Sequence, residues 1–305
     1  MLRILILGGT GFVGRALIHG LKKDNNYIIL LTRNKKKYAI SDIEVDEVVE
    51  YDLNSEKISE EYLANLDIII NLAGESIQGI RWTLAKKKRI LESRLRVVKL
   101  IKDSLILSNI KLPILIHASA VGYYGYSSSD KAVNEKAPCG HDFLAEICTK
   151  VETEVINASE VINRIIIIRL GIVLGNNKFF KTLSKGFVFQ YGITIGKGEQ
   201  WFSCIHIEDV IKSILFILEK KEISGIVNLV MERPVRYIEF IKIFCKFKKV
   251  KRLIVIPEFL AKVLLGEMSE LITEGIKVDP EKLLSNGYVF KFGTLEAAIK
   301  DIMEG

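Results

Sequence analysis

Short runs of apolar, β-branched residues punctuate the chain at Leu2–Leu7, Tyr27–Thr32, Glu47–Glu50, Asp67–Leu72, Pro113–Ala118 and Arg164–Arg169. Most are separated by stretches of helical periodicity or helix-forming composition, so strand and helix alternate. Strands joined by helical crossovers run parallel and are covered on both faces, which is why they read as continuous Ile/Leu/Val runs. The longest helix is predicted from Trp82 to about Leu107, where Leu84, Ile90, Leu91, Leu95, Val98, Ile101 and Leu105 recur at roughly helical spacing with Lys and Arg between them. Beyond residue 175 the pattern loosens into shorter elements, with a return to the sheet at Ile207–Leu218 and Ile226–Leu229. The expected fold class is α/β: a doubly wound parallel sheet with a smaller, interleaved C-terminal α/β domain.

Composition narrows the function classes. At ~100–200 residues per domain, 305 residues allow two or three units. Hydrophobic residues make up 49% and charged residues 27%, with a mean hydropathy of +0.24, which excludes a disordered chain. A bilayer span takes ~18 consecutive apolar residues; the run Ile165-Ile166-Ile167-Ile168 is stopped by Arg169. Gly8 follows Met1–Leu7 too early for a signal-peptide core, so a cytoplasmic protein is expected. Cys139, Cys148, Cys204 and Cys245 show no C-x-x-C pairing and are read as reduced, mostly buried thiols. The net charge of +7 gathers at Lys35–Lys37, Lys86–Arg89 and Lys246–Arg252. These clusters lack the interleaved aromatics of a single-strand nucleic-acid surface, and the last two are read as solvated faces. No His/Cys/Asp/Glu cluster has metal-ligand spacing, and no G-x-S-x-G hydrolase elbow occurs. Partners are thus expected to be a small-molecule substrate, with no nucleic acid, no membrane and no metal, on a monomer or homodimer.

The first strand runs into Gly8-Gly9-Thr10-Gly11-Phe12-Val13-Gly14 and then an apolar helix from Arg15 to Leu21. One glycine permits the tight turn, one lets the backbone approach a pyrophosphate, and Gly14 lets helix pack on strand, while the helix N-terminus offers free N–H groups. This places Gly8, Thr10, Gly11, Phe12, Val13 and Gly14 at a dinucleotide and makes the fold Rossmann-type. Cofactor choice is set about twenty positions later, where a carboxylate binds a ribose 2′-hydroxyl and an Arg accommodates a 2′-phosphate. Arg33 stands there, followed by Asn34-Lys35-Lys36-Lys37 with no carboxylate, so NADP(H) is favoured over NAD(H). Asp52 and Leu53 after the third strand, and Leu72, Ala73 and Gly74 after the fourth, are assigned to the adenine and to the second half of the cofactor. Residues 1–175 form the dinucleotide-binding domain, completed by about 207–230, and 176–305 a smaller substrate-side region with a distinctive segment at 253–300.

The glycine loop, Asn71-Leu72-Ala73-Gly74, Ser119-Ala120-Val121-Gly122-Tyr123-Tyr124-Gly125, Arg169-Leu170-Gly171-Ile172-Val173-Leu174-Gly175 and Ile205-His206-Ile207-Glu208-Asp209-Val210 together resemble the extended short-chain dehydrogenase/reductase superfamily of nucleotide-sugar epimerases and dehydratases. Closer still, Asn71 to Ile77 with Arg81-Trp82, Glu92-Ser93-Arg94, Asp142 to Glu146, Trp201 to His206 and the segments Ile254–Pro257, Leu264–Met268 and Thr294–Ala298 resemble an atypical subgroup described as epimerase family proteins. The resemblance adds Leu170 and Gly171 to the cofactor contacts and implies chemistry at a carbinol or carbonyl carbon of a small polar, sugar-nucleotide-like substrate. Active members use a Ser, a Tyr and a Lys four residues after the Tyr. Ser119 fits the Ser, but no tyrosine occurs between Tyr126 and Tyr191. Aligning Lys150 with the Lys puts Glu146 at the tyrosine position; aligning Glu152 with it puts Cys148 there. Both registers are open in the sequence. Catalytic assignments are Ser119 to orient the reacting oxygen, Tyr123 to relay the proton and Lys150 in the first register, with Glu75, His141 and Asp142 as further proton carriers. Arg81, Trp82 and Trp201 are assigned to the substrate side. The alternative to an oxidoreductase or epimerase is a catalytically silent NADP(H)-sensing or scaffold protein.

Overall fold

The computed structural model describes residues 1–35, 43–52, 57–77, 81–188 and 191–304. Its elements in chain order begin β1 (Arg3–Leu7), α1 (Phe12–Lys22), β2 (Tyr27–Thr32), β3 (Glu47–Glu50), α2 (Glu60–Leu63), β4 (Ile68–Asn71), α3 (Leu84–Leu107), β5 (Leu112–Ala120), α4 (Phe143–Ile156) and β6 (Ile162–Leu170). They continue as β7 (Ile172–Leu174), α5 (Lys178–Lys185), β8 (Phe187–Val188), β9 (Tyr191–Ile195), β10 (Trp201–Phe202), β11 (Cys204–His206), α6 (Ile207–Glu219) and β12 (Gly225–Leu229). The chain ends β13 (Val235–Arg236), α7 (Tyr237–Phe247), β14 (Arg252–Ile256), α8 (Glu258–Leu265), α9 (Glu270–Thr273), α10 (Glu281–Ser285) and α11 (Leu295–Glu304).

Among the described residues, seven parallel strands form one sheet in the order β12-β6-β5-β4-β1-β2-β3. Alternation within each buried run sends its side chains to two cores. Ile4, Ile6, Ile28, Leu30, Ile116, Ile166 and Ile168 meet Leu17, Ile18 and Leu21 of α1 and Val210, Ile214 and Ile217 of α6. Leu5, Leu7, Ile29, Leu31, Leu115 and Ile167 meet Ile90, Val97 and Ile101 of α3 and Ile147, Val151 and Val155 of α4. This is the Rossmann-type doubly wound architecture the pattern predicts. Helix α3 begins two residues later than Trp82 because the Thr83 hydroxyl accepts from Lys86 N and caps it. No helix among the described residues is long and apolar enough to cross a membrane.

The strand order reverses between β1 and β4, the point where a doubly wound sheet opens a crevice at its carboxyl ends. Register carries polar residues to this edge in rows. Asn71 of β4 lies beside His117 of β5. Two residues on, Ser119 of β5, Arg169 of β6 and Asn228 of β12 are cross-strand neighbours, on the face covered by α3 and α4.

The later elements gather an aromatic core of Phe180, Phe187, Phe202, Phe240, Phe244 and Phe292. Asp209, fully buried in the first turn of α6, binds the end of the chain: it accepts from Lys291 N at 2.7 Å, Phe292 N at 2.9 Å and the Tyr288 hydroxyl at 3.3 Å. His206 caps α6 through Glu208 N and lies against the Phe292 ring, 3.9 Å between centroids. It is a structural histidine.

Two stability predictions follow from these buried polar groups. Asp209→Ala strands the backbone N–H groups of Lys291 and Phe292, and with each lost partner costing about 1–3 kcal/mol it should lower unfolding stability by about 2–6 kcal/mol in denaturant titration. An unchanged midpoint refutes the docking role. His117 is 2% exposed, and burial, aided by Arg94, pushes its pKa down to about 3. Its neutral form is kept in the fold while the unfolded chain takes a proton below its ordinary pKa, so stability present at neutral pH is lost as pH falls. The loss should reach about 2 kcal/mol by roughly pH 5. His117→Gln should flatten that slope in denaturant titrations run across the same range.

Candidate functional site

The turn from β1 to α1 is shaped by what a side chain would meet. Gly8 sits at φ +78°, and a Cβ there would fall 2.6 Å from the Leu72 carbonyl; at Gly14 it would fall 2.5 Å from Gly8 O. The turn therefore lies directly on the β4 loop and on its own helix. Gly11 N donates to Gly8 O at 3.0 Å, and Gly11 itself is the N-cap of α1, with no side chain capping the N–H groups of Phe12, Val13 and Gly14. Thr10 accepts through its carbonyl from Arg15 Nε. An α-helix start left open in this way is suited to a pyrophosphate. Leu72 N donates to Leu7 O, and Asn71 Oδ1 takes Ala73 N, fixing the Leu72-Ala73-Gly74 corner. Gly171 at the end of β6 donates to Leu229 O, and a Cβ on it would meet Ser203 O.

Arg33 follows β2 exposed, with its charge acting on the half-buried Tyr51 at the end of β3. No carboxylate follows β2 within the described residues 33–35. Asp52 is exposed next to Tyr51, and the Leu53 assignment lies outside the described residues, as do Lys36 and Lys37. The residues present thus fit a nicotinamide dinucleotide.

At the other side of the switch point stands a charged pair inside the protein. Glu152 of α4 is 3% exposed and Arg169 2%. Arg169 grips the carboxylate with one edge of its guanidinium, Nη2 to Oε2 at 2.7 Å and Nε to Oε1 at 3.1 Å. The Ser119 hydroxyl donates to Glu152 Oε1 at 2.5 Å. The other face of the guanidinium lies 3.3 Å from the Tyr123 ring centroid and 4.8 Å from that of Tyr124. Burial opposes the charge on Arg169, but the Glu152 carboxylate outweighs it and holds the guanidinium more firmly protonated. Cys148, one turn before Glu152, points its thiol at Ala120 O, and burial, reinforced by Glu152, pushes that thiol up to about 11. It is a poor nucleophile and a poor acid.

The helix register left open by the sequence is therefore the second: Cys148 and Glu152 face Ser119. Lys150 is corrected out of the site. It lies on the solvent side of α4, half exposed and paired with Glu146 at 2.5 Å. Tyr123 stands next to Ser119 on a 3-10 turn, Val121–Tyr124, but as a wall for Arg169; Tyr124 donates to Asn228 Oδ1 at 2.7 Å and packs beneath it. Glu75 is held ionised by Lys86 at 2.6 Å and by Arg89, and Asp142 caps α4 through Leu144 N and Ala145 N.

The three substrate-side assignments turn out to tie segments together. Arg81 donates to the carbonyls of Leu264 (3.0 Å) and Val263 (2.6 Å) of α8. Trp82 is buried, donates to Ile77 O and meets Phe143 edge-on at 5.1 Å. Trp201 donates to Ser129 O, with Arg236 at 3.7 Å and Lys277 at 4.6 Å over its ring. Sequence inspection missed Arg169, Arg94 and His117. Arg94, largely buried, seats its guanidinium against Gly74 and donates to the carbonyls of Glu75 and Ile90. The signal for Arg169 was the arginine that breaks an isoleucine run in a central strand.

Comparison with known proteins agrees with this geometry. The model of the NAD dependent epimerase/dehydratase family matches residues 4–229, and a domain of unknown function, DUF1731, matches residues 256–302. The chain is 32% identical over 302 residues to epimerase family protein YfhF of Bacillus subtilis, covering 99% of this chain and 98% of that one. It is also 32% identical to the chloroplastic epimerase family protein SDR39U1 homolog of Arabidopsis thaliana, over 99% of this chain and 86% of the relative. A crystal structure of human epimerase family protein SDR39U1 (isoform 2) with NADPH superposes with a TM-score of 0.84 at 27% identity, over 100% of both chains. A UDP-glucuronic acid 4-epimerase from Bacillus cereus shares the fold, with a TM-score of 0.78 at 19% identity, over 99% of this chain and 98% of that one. The chain belongs to the NAD dependent epimerase/dehydratase family, as an atypical short-chain dehydrogenase/reductase with a DUF1731 segment at its C-terminal end.

Proposed function

We propose that this protein binds NADP(H) across the carboxyl ends of β1, β4, β5 and β6 and is an oxidoreductase or epimerase acting at a carbinol or carbonyl carbon of a small polar substrate. The observation that carries it is the Ser119 hydroxyl, hydrogen-bonded to a buried carboxylate at the carboxyl end of β5 and on the same sheet edge as the glycine turn. A nicotinamide dinucleotide in that crevice supplies hydride transfer. The pyrophosphate would be held by the N–H groups of Phe12, Val13 and Gly14, the adenine end by Asp52 and the Arg33 side, and the nicotinamide half by Leu72, Ala73, Gly74, Leu170 and Gly171. Selection of NADP(H) over NAD(H) is supported by Arg33 at the end of β2, with no carboxylate among the described residues 33–35, and by the human relative solved with NADPH. Ser119 orients the reacting oxygen.

A silent, cofactor-sensing role has its own support in Cys148, which the second register of the family resemblance puts at the Tyr position and whose thiol is pushed up to about 11. Turnover separates the two: a sensor binds NADPH and reduces no carbonyl compound.

Cofactor choice is tested by titrating NADPH and NADH against the chain's fluorescence. NADPH should bind more tightly, and Arg33→Asp should weaken NADPH by about ten- to a hundredfold, the worth of one or two hydrogen bonds to a charged group, while NADH loses little. Equal affinity of the unmodified chain for both dinucleotides sinks the 2′-phosphate assignment.

A further inference from the structure

We propose that Glu152, clamped by Arg169, is the proton reservoir of the site and works through the Ser119 hydroxyl; this rests on the oxidoreductase function proposed above. The 2.5 Å bond from Ser119 Oγ to Glu152 Oε1 is in the range of a hydroxyl bonded to a carboxylate. The Ser119 hydrogen is thereby committed inward, and Ser119 offers its lone pairs to a substrate. Such a group accepts from a hydroxyl, so the resting site is built for a carbinol.

Proton and electrons then balance as follows. The substrate O–H bond breaks and a new O–H bond forms on Ser119 Oγ, while the original Ser119 proton passes to Glu152 Oε1. The carbon's hydrogen departs with its electron pair to the nicotinamide dinucleotide, the oxidant by class, and the oxygen's electron pair closes the carbonyl double bond. Carbonyl reduction runs the same path backwards, with the proton moving from Glu152 through Ser119 to the carbonyl oxygen.

Fold stability does not account for the pair. Desolvating two charges is costly, and apolar side chains of the same volume commonly serve a core as well or better. The pair nonetheless sits where the family resemblance places a cationic lysine. Here the helix carries the carboxylate and the cation comes from β6, so the neighbourhood retains a positive charge while gaining a proton acceptor. The groups facing Glu152 are Arg169 from β6, with Tyr123 and Tyr124 behind it, Ser119 from β5, Cys148 from its own helix, and Arg94 of α3 beyond Cys148. Arg169 holds the carboxylate in place, with Oε1 turned to the Ser119 hydroxyl.

The test uses the full chain, first in NADPH binding, then in NADPH oxidation with diacetyl and phenanthrenequinone as probes. Glu152→Gln should bind NADPH as the unmodified chain does and reduce the probes about 10²- to 10⁴-fold more slowly, the span of a positioned acid–base group. The unmodified chain should speed up toward acid pH, as a reduction that takes up a proton through the relay does, and Glu152→Gln should lose that slope. Glu152→Asp should recover part of both. A double variant, Glu152→Met with Arg169→Met, removes the chemistry without leaving a lone buried charge; it should fold and bind NADPH yet stay as slow as Glu152→Gln. If the double variant keeps the original rate and pH slope, the pair is structural and the relay is wrong. A chain that binds NADPH but reduces neither probe also overturns the relay, whereas a chain that fails to bind NADPH overturns the cofactor assignment itself.

Discussion

A guanidinium inside a sheet must be neutralised on the spot, and the geometry around Arg169 follows from that requirement. Attraction between unit charges is strong where water is excluded, but it offsets desolvation only when the donors and acceptors are matched. Glu152 supplies a two-pronged match, and the Tyr123 face covers the remaining surface. Four elements are thereby fixed to one another: β6 through Arg169, α4 through Glu152, β5 through Ser119 and the 3-10 turn through Tyr123. Asn228 on β12 extends the row by holding the Tyr124 hydroxyl and donating to Asp279 O. The direction in which Ser119 points is set by this network and not by the strand alone.

The same logic joins the C-terminal region to the sheet domain. Asp209 accepts backbone donors from residues 291 and 292, and Glu135 takes Asn228 N at 3.0 Å and Lys282 N at 3.3 Å. Arg81 gives the Nε and Nη2 edge of its guanidinium to the last turn of α8. Charged side chains paired with backbone groups thus fix the register of segments whose apolar residues, Leu283, Tyr288, Phe290, Phe292, Leu295 and Ile299, already enter the cores. Residues 256–302 are therefore tied down by side chains of residues 81, 135 and 209, which lie within the stretch 4–229 matched by the family model.

The sheet was legible in the sequence because its strands are buried on both faces: Ile4 to Leu7 and Ile165 to Ile168 have no polar phase to confuse with a helix. The glycine turn was equally plain, since Gly8 and Gly14 have no room for a Cβ. Helix α4 was not. Its residues 144, 148 and 152 form one stripe and 146, 150 and 154 another, and composition favours putting the lysine inside the site and the glutamate in water. Only Arg169, seventeen residues later on a central strand, makes the opposite choice cheaper, and that pairing has no local spacing to reveal it. Arg81, Trp82 and Trp201 were found as unusual residues, but residue type alone does not distinguish a side chain that faces substrate from one that fastens a loop.

A missing motif is therefore weak evidence for missing chemistry. Tyr-x-x-x-Lys does two things in the family: it keeps a proton-carrying oxygen beside the substrate and a positive charge close enough to tune it. Both requirements concern positions in space, and helix α4 is one of several elements that reach them. In the relay proposed above, Ser119 takes the oxygen position, Glu152 carries the proton and the charge comes from Arg169 of β6. Exchanging lysine for glutamate on α4 without Arg169 would leave a buried, unpaired carboxylate. With Arg169 in place, the substitution yields a neutral pair whose acceptor end touches the serine. The two residues therefore constrain each other: each offsets the cost of burying its partner's charge.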